Sequence, residues 1–290
     1  MSAPDAAAKL KAAAELIKKH PKSALRPRVA STLVNEIAKV TDASQKISLA
    51  QDYQKIFTEQ SEENLILPVL FDAYADADRP DDAFSTAATL LARQPDSVRV
   101  LVRLTQLGID QARKQNGKFV ADSLKYGVKA IELIEADNQP ADMDDAGRKQ
   151  YKSSVLPGLY QTVGALKVIT GDQVSAKATL LKAAELAPTD AYNYLLLASI
   201  LDDDYQNQAK LYQGMPDSQT KRDTLPKVLA LLDSVIDTYA HMIALSEGNA
   251  ALQPARQQCL QFMEGYYKYR HNNSTAGMQQ LIDKYKVAAK

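Results

Sequence analysis

One cysteine, no tryptophan, three histidines and no surplus of either charge are spread over 290 residues. Each shortage excludes something. A single thiol, Cys259, cannot close an intramolecular disulfide or build a cysteine-based metal cluster. Leu260, Phe262 and Met263 stand near it, so it reads as a buried, inert thiol. His20, His241 and His271 are far apart and show no ligand spacing such as H-E-x-x-H, so no metal is expected. Glycines are few, at 11, and form neither a phosphate-cradling loop nor a G-x-S-x-G elbow. No cofactor and no catalytic residue is expected, and the chain reads as a protein without enzymatic activity.

Lys plus Arg and Asp plus Glu both number 35, whereas a nucleic-acid binder carries a basic surplus, so no nucleic-acid partner is expected. The first forty residues depart from that balance, with eight Lys or Arg against Asp5, Glu15 and Glu36, and read as a solvated, Lys-rich first helix. No run approaches the ~18 consecutive apolar residues of a membrane span. The chain therefore reads as soluble, and as cytoplasmic as written. It would be exported or periplasmic if a leader had been removed ahead of "SAPDAAA".

What is present is helix-forming sequence almost everywhere. Apolar residues recur at three- and four-residue steps, as in Val228, Leu231, Leu232, Val235, Ile236, Tyr239 and Ile243, and no alternating run reads as a strand. Short breaks such as "KHPKS", "ADADRPDD", "RQPDS" and "ELAPTD" place a proline where a helix must stop and Asp or Ser where the next can be capped. The expected class is all-α.

The helices also repeat. "DRPDDAFSTAATLLARQP" and "GDQVSAKATLLKAAELAP" set Ala83 and Pro95 where Ala176 and Pro188 stand. A 34-residue frame begun at Pro157 places Tyr160 fourth, Val163 seventh, Gly164 eighth, Ala176 twentieth, Leu180 twenty-fourth, Ala183 twenty-seventh and Pro188 thirty-second. The same frame from Asn64 sets Leu67, Leu70, Tyr74, Ala83, Leu90 and Pro95 in register. This pattern resembles the tetratricopeptide repeat, with Lys167 departing where tyrosine is usual. Weaker copies begin at Val98, with a loop at "KQNGKF", and at Ala191, with a short second helix expected near Tyr205–Tyr212. "QGMPDSQTKRD" reads as an interruption and hinge, and Asp142–Asp145 as an exposed loop. The expected organisation is N-terminal helices with a degenerate repeat over 1–63, tetratricopeptide-like repeats over 64–212, and C-terminal helices with a truncated last repeat over 213–290.

The resemblance implies an α–α superhelix acting as a non-catalytic scaffold that binds a protein or peptide partner on its concave face. The alternatives are a structural component of a cell-envelope or secretion assembly, or a small-ligand-binding solenoid. Carried over position by position, the concave residues are Asp72 and Asp76, then Arg99, Arg103, Gln106 and Asp110, then Gln161, then Tyr192, Ser199 and Asp202. The carboxylate clamp of co-chaperone members is not reproduced, because Pro68, Asp72, Gly158 and Tyr192 occupy its positions and only Arg103 keeps a fitting charge. The carboxylate pairs at Asp81–Asp82, Asp144–Asp145 and Asp202–Asp204 read as solvated groups at helix ends or in loops. The aromatic cluster "EGYYKYRHNN" reads as rings covering a neighbouring repeat, with nucleobase stacking as the competing reading.

Overall fold

The structure, a computed structural model, describes residues 5–137 and 144–286, and among them it contains helices and no strand. Two compact units divide the chain, Met1–Leu133 and Ile134–Lys290. Asp142 and Met143 of the expected loop lie outside the described residues.

The first unit holds α1 (Ala6–Lys19), α2 (Arg26–Ala38), α3 (Ala43–Ile56), α4 (Gln60–Asp76), α5 (Pro80–Arg93), α6 (Val98–Arg113) and the start of α7 (Val120–Glu135). Helix starts follow from local chemistry. Asp5 and Asp42 accept backbone N–H groups of the first turns of α1 and α3, and Glu59 with Glu62 closes a reciprocal capping box on α4. Pro80 opens α5, where its missing N–H costs nothing. Consecutive helices pack as hairpins, and their inward faces join into one core running from Leu10 through Tyr53, Phe57 and Phe71 to Leu104.

A charged node lies in that core. Glu62, 3% exposed, receives two hydrogen bonds from Arg26, from Nε at 2.5 Å and from Nη2 at 2.8 Å. Arg26 also donates to the Ile56 carbonyl at 3.4 Å and lies over the Phe57 ring. Tyr53 stacks on Phe57 and donates to the Glu62 carbonyl, so α2, α3 and α4 meet at one ion pair. Across this unit, ion pairs that bridge elements join residues 27 to 37 positions apart, a separation close to one repeat.

The second unit holds α8 (Asp145–Ile169), α9 (Gln173–Leu186), α10 (Ala191–Gly214), α11 (Gln219–Leu245), α12 (Gln253–Arg270) and α13 (Met278–Asp283). Its helices also pair consecutively, α8 with α9 and α10 with α11 most extensively. The small residues of the repeat lie at the crossings. Ala83, Ala176 and Ala183 are fully buried, and a Cβ on Gly164 would stand 2.6 Å from the Leu180 side chain. The tightest approach is in the first unit, where a Cβ on Gly108 would stand 1.8 Å from Ser123 Oγ, which donates to the Leu104 carbonyl. Gly171, at φ 81°, turns the chain from α8 into α9.

Several boundaries differ from the sequence reading. Pro157 does not open a helix. It sits inside α8, which begins twelve residues earlier behind the Asp144 cap, and Pro68 and Pro226 are likewise interior. The short second helix expected at Tyr205–Tyr212 is absent, because α10 runs unbroken for 24 residues to Gly214. The interruption at "QGMPDSQTKRD" is real but brief, spanning Met215 to Ser218 between α10 and α11. Helix α11 contains an 18-residue window of mean hydropathy 1.5, half of it buried. Its apolar residues, among them Leu232, Val235, Ile236 and Met242, form the core of the second unit with α10, α12 and Ile282 of α13.

Candidate functional site

The residues projected onto one face fall into two groups, each within its own unit. In the first unit, α4 and α6 lie so that acids of one meet bases of the other. Asp72 accepts from Arg99 at 2.8 and 3.0 Å, and Asp76 accepts from Arg103 one turn further along. The spacing explains the ladder. Four residues separate Asp72 from Asp76 and Arg99 from Arg103, one helical turn on each helix, so the pairs stack in register. Gln106 donates to Asp110 at 3.0 Å, and Arg113 pairs with the same carboxylate at 3.2 Å. All six sequence-projected residues of this unit thus join one polar strip. The two cross-helix pairs are 40 to 51% exposed, which leaves them open to solvent and to a partner.

In the second unit the projected residues divide. Gln161 on α8 donates at 2.8 Å to both Asp190 and the fully buried Asn193, tying α8 to the start of α10. That makes it an internal strut. Tyr192, Ser199 and Asp202 lie on one stripe of α10 at helical spacing, with Leu195 between them. Ser199 and Asp202 line a cleft of about 300 Å³ with Leu195, Asp203, Tyr239, Gln258, Cys259 and Phe262.

Asp202 is a correction to the sequence reading. It is not a solvated helix-end carboxylate but an interior residue of α10, half-buried, accepting from Tyr239 at 2.7 Å on Oδ2 and from Tyr266 at 2.5 Å on Oδ1. Burial and the adjacent carboxylate push both phenols well above their ordinary range, so they remain donors. Burial likewise pushes the Cys259 thiol up to about 11. Sequence reasoning missed this node because its members are 37 and 64 positions apart. Only the three-way crossing of α10, α11 and α12 brings them together. The expected helix-end placement does hold for Asp81 and Asp82, in the first turn of α5, and for Asp144, which caps α8.

The tyrosine cluster packs inward over two of its three rings. Tyr266 reaches Asp202, and Tyr267 is buried with its hydroxyl on the Ala276 carbonyl at 3.0 Å, while Tyr269 is exposed. Its cations are paired within the unit, Lys268 with Glu264 and Arg270 with Asp233 at 2.8 and 3.0 Å. Among the described residues no three His, Cys, Asp or Glu side chains converge as a metal site would require. Comparison of the chain with protein-family models and with curated proteins finds no match.

Proposed function

We propose that the chain is a non-catalytic binding scaffold of tetratricopeptide-repeat type, holding a polar or extended peptide segment of a partner protein on the strip formed by α4 and α6. The repeat assignment is supported by buried small residues at the frame's positions, Ala83, Ala176 and Ala183, and by the close Gly164–Leu180 contact. The observation that carries the binding role is the exposed ladder of Asp72–Arg99 and Asp76–Arg103. Surface pairs of this kind each contribute only about 0.2–1 kcal/mol to stability, so a partner's charges or backbone groups can exchange into them at little cost. Both signs are presented one helical turn apart, which suits a peptide better than a polyanion.

Panning a random peptide library against the full chain tests this. Peptides recovered on the wild type should lose about tenfold or more in affinity on Arg103→Glu with Gln106→Ala. The melting temperature should stay near the wild-type value, because Arg103 is 40% exposed. No enrichment, or equal binding to the folded double variant, overturns the reading. A second reading, a small-ligand-binding solenoid, is favoured by the cleft where Ser199, Asp202 and Asp203 converge with Phe262. A set of small organic amines that shifts the melting temperature of the wild type, and not of Asp203→Asn, would support it over the first.

A further inference from the structure

We propose that the groove between α1 and α2 docks an amphipathic α-helix of a partner protein whose apolar stripe is flanked by acidic residues. This surface is distinct from the α4–α6 strip and does not depend on it. The groove measures about 460 Å³ and is lined by Ala12 and Leu16 of α1 and by Leu25, Arg28, Val29 and Leu33 along α2 and the turn before it.

Its lining follows helical spacing on both walls. Lys9, Ala12, Ala13 and Leu16 recur at steps of three and four along α1, and Leu25, Arg28, Val29, Thr32 and Leu33 do so beside them. The inward faces of the same helices, Leu10, Ile17, Ala30 and Ile37 among them, already belong to the core. The groove floor, Ala13 and Leu33, belongs to that same core, while Leu16 and Leu25 on its rim are 37% and 57% exposed.

Two parallel ridges of this kind accept the ridge of a third helix. A helix satisfies its own backbone groups, whereas an extended segment would lay unpaired N–H and C=O groups against apolar walls with no sheet edge to receive them. The span from Lys9 to Leu16 is about 10 Å at 1.5 Å per residue, so the occupant needs about two to three turns.

Charge chooses the partner. Arg28 on the groove wall, with Lys19 and Lys22 towards the connecting turn, makes no ion pair among the described residues, whereas Lys11, Lys18 and Glu15 fall on the side of α1 turned away from the lining residues. The nearby acid Glu36 is shared by Lys9 at 2.7 Å and Lys39 at 2.8 Å. An uncompensated cationic surround favours an acidic occupant. A second copy of this chain would bring the same cations against themselves. A bilayer is flat, whereas Ala13 and Leu33 are recessed at the groove floor with almost no exposure.

The probe is a fluorescein-labelled, helix-forming peptide of about 16 residues with leucines at three- and four-residue steps and glutamates on the flanks. Its counterpart keeps the leucines and replaces every glutamate with lysine. Anisotropy with the full chain should show the acidic probe binding about tenfold more tightly than the basic one, and more weakly as salt rises. Leu16→Asp with Leu25→Asp should remove that binding without moving the melting temperature, since both side chains are exposed. The Arg103→Glu and Gln106→Ala variant should bind the probe as the wild type does, which separates this surface from the α4–α6 strip. Equal binding of the two peptides, or binding retained in the folded Leu16 and Leu25 variant, overturns the proposal. So does a dimer that Leu16→Asp dissociates, or tight capture by phosphatidylserine vesicles that the same substitution abolishes.

Discussion

Replacing Arg26 by methionine removes one side of the buried pair with Glu62 and keeps most of the side chain's volume. The arginine side chain is 12% exposed and the glutamate 5%, so solvent cannot take over the lost partner. Four hydrogen bonds disappear, two to the carboxylate and one each to the Ile56 and Pro21 carbonyls. Leaving a buried carboxylate unpaired costs about 3–5 kcal/mol. At a urea slope of about 2 kcal/mol/M, the unfolding midpoint of the first unit should fall by about 2 M, read by far-UV circular dichroism. The effect should depend on pH. In the wild type the guanidinium holds the Glu62 carboxyl below the usual carboxylate range, so its contribution is present above about pH 4.3 and is lost as pH falls through the lowered value. In the variant, burial without the arginine raises the carboxyl instead, and protonation relieves it. The gap between the two proteins should therefore narrow as pH drops from 7 towards 4. Adding Glu62→Gln keeps an acceptor for the Glu59 N–H and should recover most of the loss. A loss below about 1 kcal/mol, or a gap that does not change with pH, would refute the assignment of this pair as the junction of α2, α3 and α4.

Two further outcomes test the packing. Gly108→Ala should destabilise the first unit by about 1–3 kcal/mol, since the new methyl collides with Ser123 Oγ and Cβ, while Gly117→Ala, with nothing within 4 Å, should be nearly neutral. Thermal melts of both decide it, and equal effects would place the α6–α7 crossing elsewhere. Cys259 should react with iodoacetamide at pH 8 about a hundredfold more slowly in the native protein than in urea, because burial lifts its thiol from 9.0 to about 11. Fast native labelling would mean the thiol is open to solvent.

Helix content and the turns that carry proline were legible because they rest on local chemistry. The prolines of "KHPKS", "RQPDS" and "ELAPTD" fall between helices, and Pro80 of "ADADRPDD" opens α5. The buried alanines of the repeat were legible for a related reason, since a fixed crossing demands a small residue at a fixed interval. Interior prolines were not. Pro157 has the same ring as Pro80, and whether a helix continues through it depends on packing further along α8, which spacing alone does not encode. The polar strip was half legible. Position within the repeat brought Asp72, Asp76, Arg99 and Arg103 to one place, but not the fact that they pair with each other. Asp202 was read as a helix-end carboxylate and is interior to α10, and the hydrogen-bond partners of Gln161 and Asp202 were not legible. Their partners, Asn193 for one and Tyr239 and Tyr266 for the other, are set by tertiary crossings.

The separation of interacting residues has a kinetic consequence. In the first unit a bridging ion pair closes a chain segment of 27 to 37 residues, so each hairpin finds its neighbour without waiting for distant parts of the chain. Such an array assembles and frays stepwise, one neighbour at a time. Asp202 imposes a different order on the second unit, because its two oxygens are claimed by α11 and by α12, the latter 64 positions away. Those three helices must arrive together and leave together. Amide exchange should show graded protection along the first unit, and in the second a block from α10 to α12 that opens in one cooperative event.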